Sequence, residues 1–122
     1  MSALHQTVLT LVFMLNFITE VMAQTTVEYV RDVKPILTER CYACHGPDSN
    51  RREAGLRLDT FEGATGVLKS GVRAVVPGNA KESVLVSRIH STDPDEQMPP
   101  AKLNRPLATS EKEMLVRWIA DG

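Results

Sequence analysis

The chain has 122 residues, 14 of them Lys or Arg and 15 Asp or Glu, for a formal net charge of −1. That length is enough for one domain. The balanced charge excludes a polybasic nucleic-acid binder or a polybasic membrane-surface binder.

Val8 to Ile18 is an apolar run interrupted by Thr10 and Asn16. It is too short to span a bilayer. Val21-Met22-Ala23 follows, with small or branched residues where signal peptidase needs them. Residues 1–23 are therefore predicted to be a signal peptide cleaved before Gln24, although the leading segment carries only the α-amine and His5 and no Lys or Arg. An uncleaved anchor or a misassigned start codon are the alternatives. Cleavage would remove Glu20 and no Lys or Arg, bringing the formal charge from −1 to 0. The mature residues 24–122 are then expected on the periplasmic or cell-surface side, with no membrane span and no nucleic-acid partner.

After an extended lead-in over residues 25–29, a helix is predicted from Arg31 to Arg40. Val33, Ile36 and Leu37 share one of its faces. Asp32 is the candidate N-cap, which puts Pro35 in the first turn, where a missing N–H is tolerated.

The helix leads into Cys41-Tyr42-Ala43-Cys44-His45. C-x-x-C-H is the attachment signature of c-type haem. Two thiols at that spacing reach the two vinyl groups on one edge of a porphyrin. The following imidazole can then bind the iron. A zinc site competes poorly, because structural zinc wants four protein ligands. Only two cysteines are present, and the spare histidines are His5 and His90. A thioredoxin-like dithiol would need a βαβ context that the pattern lacks. A plain disulfide is the third alternative. Cys41 and Cys44 are thus the candidate anchors and His45 the candidate iron ligand. A domain of about 100 residues gets modest stability from its own core, and a buried macrocycle would add apolar area.

Beyond the motif, Gly46 to Asn50 reads as a loop. Arg51 and Arg52 are favoured as a solvated basic pair over partners for haem propionates. Gly55-Leu56-Arg57-Leu58 alternates, turning Leu56 and Leu58 inward. Thr60 is expected to cap a helix over Phe61–Lys69, closed by Ser70-Gly71. Asn79 with Glu82 reads as a capping-box variant opening a helix over Ala80–His90, its buried face made of Val84, Leu85 and Ile89. Asp93 to Pro106 is a loop rich in proline and charge. Ser110 and Glu113 read as a second capping box, followed by a helix to Ala120 with Met114, Leu115, Trp118 and Ile119 on one face. Short helices joined by long loops suit a bound group.

Met98, Met114 and His90 are the candidates for a sixth iron ligand, with a lysine more remote. Met114 lies on an apolar helical stripe, where a core role explains it. His90 ends a helix, where a surface or capping role explains it. Met98 sits in the polar stretch Gln97-Met98-Pro99-Pro100, where packing gives a methionine no obvious purpose. The prolines behind it stiffen the chain. Met98 is therefore favoured.

The ordered pieces RDVKPILTERCYACHGPD, AGLRLDT, VPGNAKESVLVSRI, MPP and EKEMLVRWIADG cover nearly all of residues 28–122. Together they resemble a class I cytochrome c, and more closely the planctomycete-type cytochrome c domain. The resemblance implies an all-α fold of short helices and long loops around one covalently bound haem c, with the first and last helices crossing beside it. It implies Cys41 and Cys44 as attachment points, His45 as proximal ligand and Met98 as distal ligand. The implied role is single-electron transfer rather than catalysis, to a redox partner protein or to fused downstream domains. A haem enzyme or gas sensor with a labile or absent sixth ligand is the alternative, and a haem-free dithiol protein is a third. Members of that family usually continue into further domains, so the chain is expected to be either a truncated piece of a longer protein or a free-standing version.

Overall fold

The computed structural model of the protein describes residues 25–122. The expected signal peptide, residues 1–23, lies outside the described residues.

The first helical stretch begins earlier than its pattern suggests. One turn of π-helix, Tyr29–Val33, runs directly into α1, Lys34–Arg40. Asp32 is therefore not the N-cap. It lies inside the first turn, and its carboxylate reaches back to accept the Glu28 N–H at 2.8 Å. A carboxylate one turn on can satisfy the same orphan donor that a cap would. Pro35 falls in the first turn of α1, as expected. Val33 and Leu37 are fully buried.

After Cys41 the backbone re-forms one helical turn, α2, Tyr42–His45. Gly46 ends it. A Cβ at Gly46 would collide with the Tyr42 carbonyl, so the close approach of backbone to backbone requires glycine there. The following loop folds back onto the turn. The Glu53 N–H donates to the Cys44 carbonyl at 2.9 Å, and the Leu58 N–H to the His45 carbonyl at 2.8 Å.

Thr60 does cap α3, accepting the Gly63 N–H at 3.1 Å. However, α3 spans only Phe61–Thr65 and not the expected run to Lys69. Gly66 and β-branched Val67 are poor helix continuers. The chain instead makes a tight turn, with Leu68 N–H on the Val72 carbonyl at 2.8 Å and Val67 bridged antiparallel to Arg73.

The expected continuous helix over Ala80–His90 is divided. Asn79 accepts the Glu82 N–H at 3.2 Å and opens a 3-10 turn, Ala80–Glu82. The chain then becomes extended at Ser83 before α4, Val84–His90. Ser83 is 1% exposed. Its hydroxyl accepts the Val76 N–H and donates to the Asn79 carbonyl, each at 2.8 Å. A serine that finds such partners competes with helical bonding, which explains the break.

A 3-10 turn, Ala101–Leu103, follows the proline-rich loop. The last helix, α5, spans Thr109–Asp121. The expected Ser110–Glu113 box does not form. The helix starts two residues sooner, and Glu111 reaches back to the Ala108 N–H at 2.8 Å. Ala108 has no side-chain oxygen to return the bond.

α5 lies antiparallel to the first helical stretch. Arg40 meets Glu111 at 3.4 Å at one end. At the other end the Arg117 guanidinium donates to the Thr25 carbonyl at 2.6 Å, and the Tyr29 and Trp118 rings lie 5.8 Å apart. Val33, Leu37, Leu115 and Ile119 meet in one cluster, joined by Leu85 and Ile89 of α4. Each fully buried large aliphatic side chain contributes roughly 1.5–3 kcal/mol. The Val67–Arg73 bridge is the one β pairing among the described residues. The fold is all-α, built of short helices and long loops, as expected.

Candidate functional site

Cys41, Cys44, His45 and Met98, distant in sequence, line one cavity of about 260 Å³. α2 supplies Cys44 and His45, and Cys41 sits at its N-cap. The loop folded back on α2 supplies Leu56 and Leu58, α4 supplies Leu85 and Ile89, and α5 supplies Leu115. The wall is chiefly apolar.

Burial pushes the Cys41 thiol up to about 11, against the opposing pull of the Arg40 charge. Thiolates, not thiols, bind zinc and drive disulfide exchange. A thiol held protonated at neutral pH is poorly suited to either task. Among the described residues no group of three or more His, Cys, Asp or Glu side chains could hold a metal ion by itself.

His45 is held neutral, its pKa lowered mainly by burial. The Glu53 and Leu56 carbonyls favour a proton on the ring. Neither completes a hydrogen bond to Nδ1, which is sealed from solvent. A neutral imidazole keeps the lone pair of one ring nitrogen free for a ligand. Two thiols, a neutral imidazole and a thioether on one apolar wall form a donor set that fits a haem and does not fit a bare metal ion.

Met98 is half-buried and is followed by buried Pro99. Its N–H donates to the Arg88 carbonyl at 3.0 Å, which ties the methionine loop to the end of α4. The other two candidate ligands lie elsewhere. His90 is exposed, and its Nδ1 donates to the Val86 carbonyl at 2.9 Å. Met114 packs against the core cluster. Neither lines the cavity.

Arg51 is exposed, and the Arg52 guanidinium donates to the Gly46 and Pro47 carbonyls at 3.3 and 3.1 Å. Neither lines the cavity, whereas Arg40, Arg88 and Arg105 do. Sequence reasoning missed those three. Arg40 had a signal in its place directly before Cys41. Arg88 and Arg105 had none that set them apart from other basic residues. A second cavity, of about 290 Å³, shares only Leu58 with the first and holds none of the four candidate residues.

No helix among the described residues is long and apolar enough to cross a membrane. No curated protein and no solved structure is significantly similar to the chain. The family model described as Planctomycete cytochrome C matches residues 41–102, just over half of the chain. That span opens on the first cysteine of the C-x-x-C-H turn and runs past Met98 to the far wall of the cavity. The chain belongs to the planctomycete cytochrome c family.

Proposed function

We propose that the chain is an exported domain that transfers single electrons through one haem c. In this reading Cys41 and Cys44 would hold the haem as thioethers, each thiol adding across a vinyl group with its hydrogen going to the neighbouring vinyl carbon, so that no external oxidant or reductant would be needed. Bound in this way, the haem supplies an iron that alternates between ferrous and ferric. His45 would hold the iron through a neutral imidazole and Met98 through a neutral, soft thioether. Neutral donors and apolar walls favour the lower-charged ferrous state, so the reduction potential is expected to be high. Two protein ligands leave no open position for a substrate, and the role is therefore carrier rather than enzyme. Electrons pass to a separate redox protein or to fused downstream domains.

What supports this reading most is the meeting of the C-x-x-C-H turn and Met98 in one apolar cavity, with His90 and Met114 outside it. The test is expression with a cytochrome c maturation system. Pyridine haemochrome spectra and intact mass should give one covalent haem per chain, on a chain beginning at Gln24. Met98→Ala should turn high-spin, take up carbon monoxide when reduced and fall in potential, and Met114→Ala should leave the spectrum unchanged. A wild type that binds carbon monoxide freely would instead favour a haem enzyme or gas sensor. Absence of covalent haem would overturn the reading.

A further inference from the structure

We propose that Arg88 is the positioning residue that holds Met98 at the cavity, acting as a two-ended clasp on the loop between them. This rests on the reading of Met98 as the sixth ligand.

The backbone and the side chain of Arg88 grip the same loop at different points. Its carbonyl accepts the Met98 N–H at 3.0 Å. Its guanidinium Nη1 donates to the Glu96 carbonyl at 3.3 Å. Inside the loop, Asp93 gathers the turn. Its carbonyl accepts the Gln97 N–H at 2.8 Å and the Glu96 N–H at 3.0 Å, and its carboxylate accepts the Asp95 N–H at 2.9 Å. Residues 92–96 are all exposed and Met98 is half-buried. Apolar burial therefore holds little of this loop, and its polar ties decide how firmly the thioether is presented. Arg88 also lines the cavity, so the clasp sits beside the group it would steady.

A competing ligand binds iron only while the thioether is displaced, so its apparent affinity scales with the displaced fraction. Removing the guanidinium tie removes one net hydrogen bond, which raises that fraction up to roughly tenfold.

The test compares wild-type holoprotein with R88M, R88Q and R88K, each shown by mass to carry covalent haem. Carbon monoxide on the ferrous protein is the first probe, and the far-red thioether-to-iron band of the ferric protein is the second. R88M keeps the aliphatic stem without a donor, and R88Q is too short to reach Glu96. Both should bind carbon monoxide several-fold to tenfold more tightly than wild type and lose the band at lower temperature. R88K keeps a donor on a stem of similar length and should recover most of the difference. Should R88M not fold, R88Q carries the same comparison. Wild-type behaviour of R88M or R88Q, or no recovery in R88K, overturns the clasp. A wild type that lacks the band and takes carbon monoxide freely overturns the Met98 reading and the clasp together.

Discussion

Ser83→Ala tests the reason that α4 begins where it does. The hydroxyl accepts the Val76 N–H and donates to the Asn79 carbonyl, both at 2.8 Å, on a residue 1% exposed. Deleting it removes two hydrogen bonds at about 0.5–1.5 kcal/mol each, and a buried donor left unpaired costs about 1–3 kcal/mol. Val76 is half-buried, so water partly rescues its N–H and the lower end of that range applies. Ser83 is extended and lies outside the helix, so alanine returns nothing through helix propensity. The net expectation is a loss of roughly 2–3 kcal/mol, or about 10–20 °C in melting temperature for a domain of this size. Guanidinium unfolding of the holoprotein, followed by far-ultraviolet circular dichroism and by haem absorbance, measures it. Ser87→Ala is the control, because that exposed hydroxyl binds only the carbonyl of Val84 in its own helix. A loss below about 0.5 kcal/mol for Ser83→Ala would show that the break in the helix does not depend on this hydroxyl.

Gly46→Ala should force the backbone away from the Tyr42 carbonyl and cost about 1–3 kcal/mol, as overpacking does. It should also disturb the haem spectrum through His45, and a wild-type spectrum and melt would refute the clash. The Asp32 carboxyl is held down to about 2, first by the Arg31 guanidinium and then by the Glu28 N–H. Its stabilisation is present above the ordinary carboxyl range and is lost as pH falls through about 2. Asp32→Asn should therefore lower the melting temperature at neutral pH and flatten its acid dependence below about pH 4, and a parallel, undisplaced profile would refute this. Trp118→Ala strips a half-buried ring from the Tyr29 face. It should cost about 2–3 kcal/mol, less than a fully buried aromatic, and a loss under about 1 kcal/mol would show that the ring contact is idle.

The chemistry of this chain was easier to read than its geometry. The C-x-x-C-H turn and the Met-Pro-Pro stretch stood out by residue type and spacing alone, and the fold brings them to one cavity. The apolar stripes through Val33 and Leu37 and through Leu115 and Ile119 likewise announced helices that must meet. What the sequence hid were features decided by distant partners. Ser83 breaks a helix only because Val76 returns to meet its hydroxyl. Glu111 caps α5 in place of the expected Ser110–Glu113 box because the helix starts two residues sooner. Arg88 faces the cavity while Arg52, nearer the motif in sequence, turns away to the Gly46 and Pro47 carbonyls. Charge has no periodic signature that marks which arginine a fold will enclose.

The antiparallel contact between the first helical stretch and α5 has a temporal consequence. Val33 and Leu37 bury themselves against Leu115 and Ile119, so nearly the whole length of the chain must be present before the beginning can settle. Chains are made and exported from the N-terminus. A short helix such as Lys34–Arg40 is marginal without tertiary partners. The Cys41–His45 segment is thus made before α5, and under the proposed function its thiols would be open to covalent attachment until α5 arrives. Once α5 closes, Cys41 is half-buried and burial keeps its thiol protonated. Under the proposed function the topology would therefore order events in time, with covalent attachment before completion of the fold.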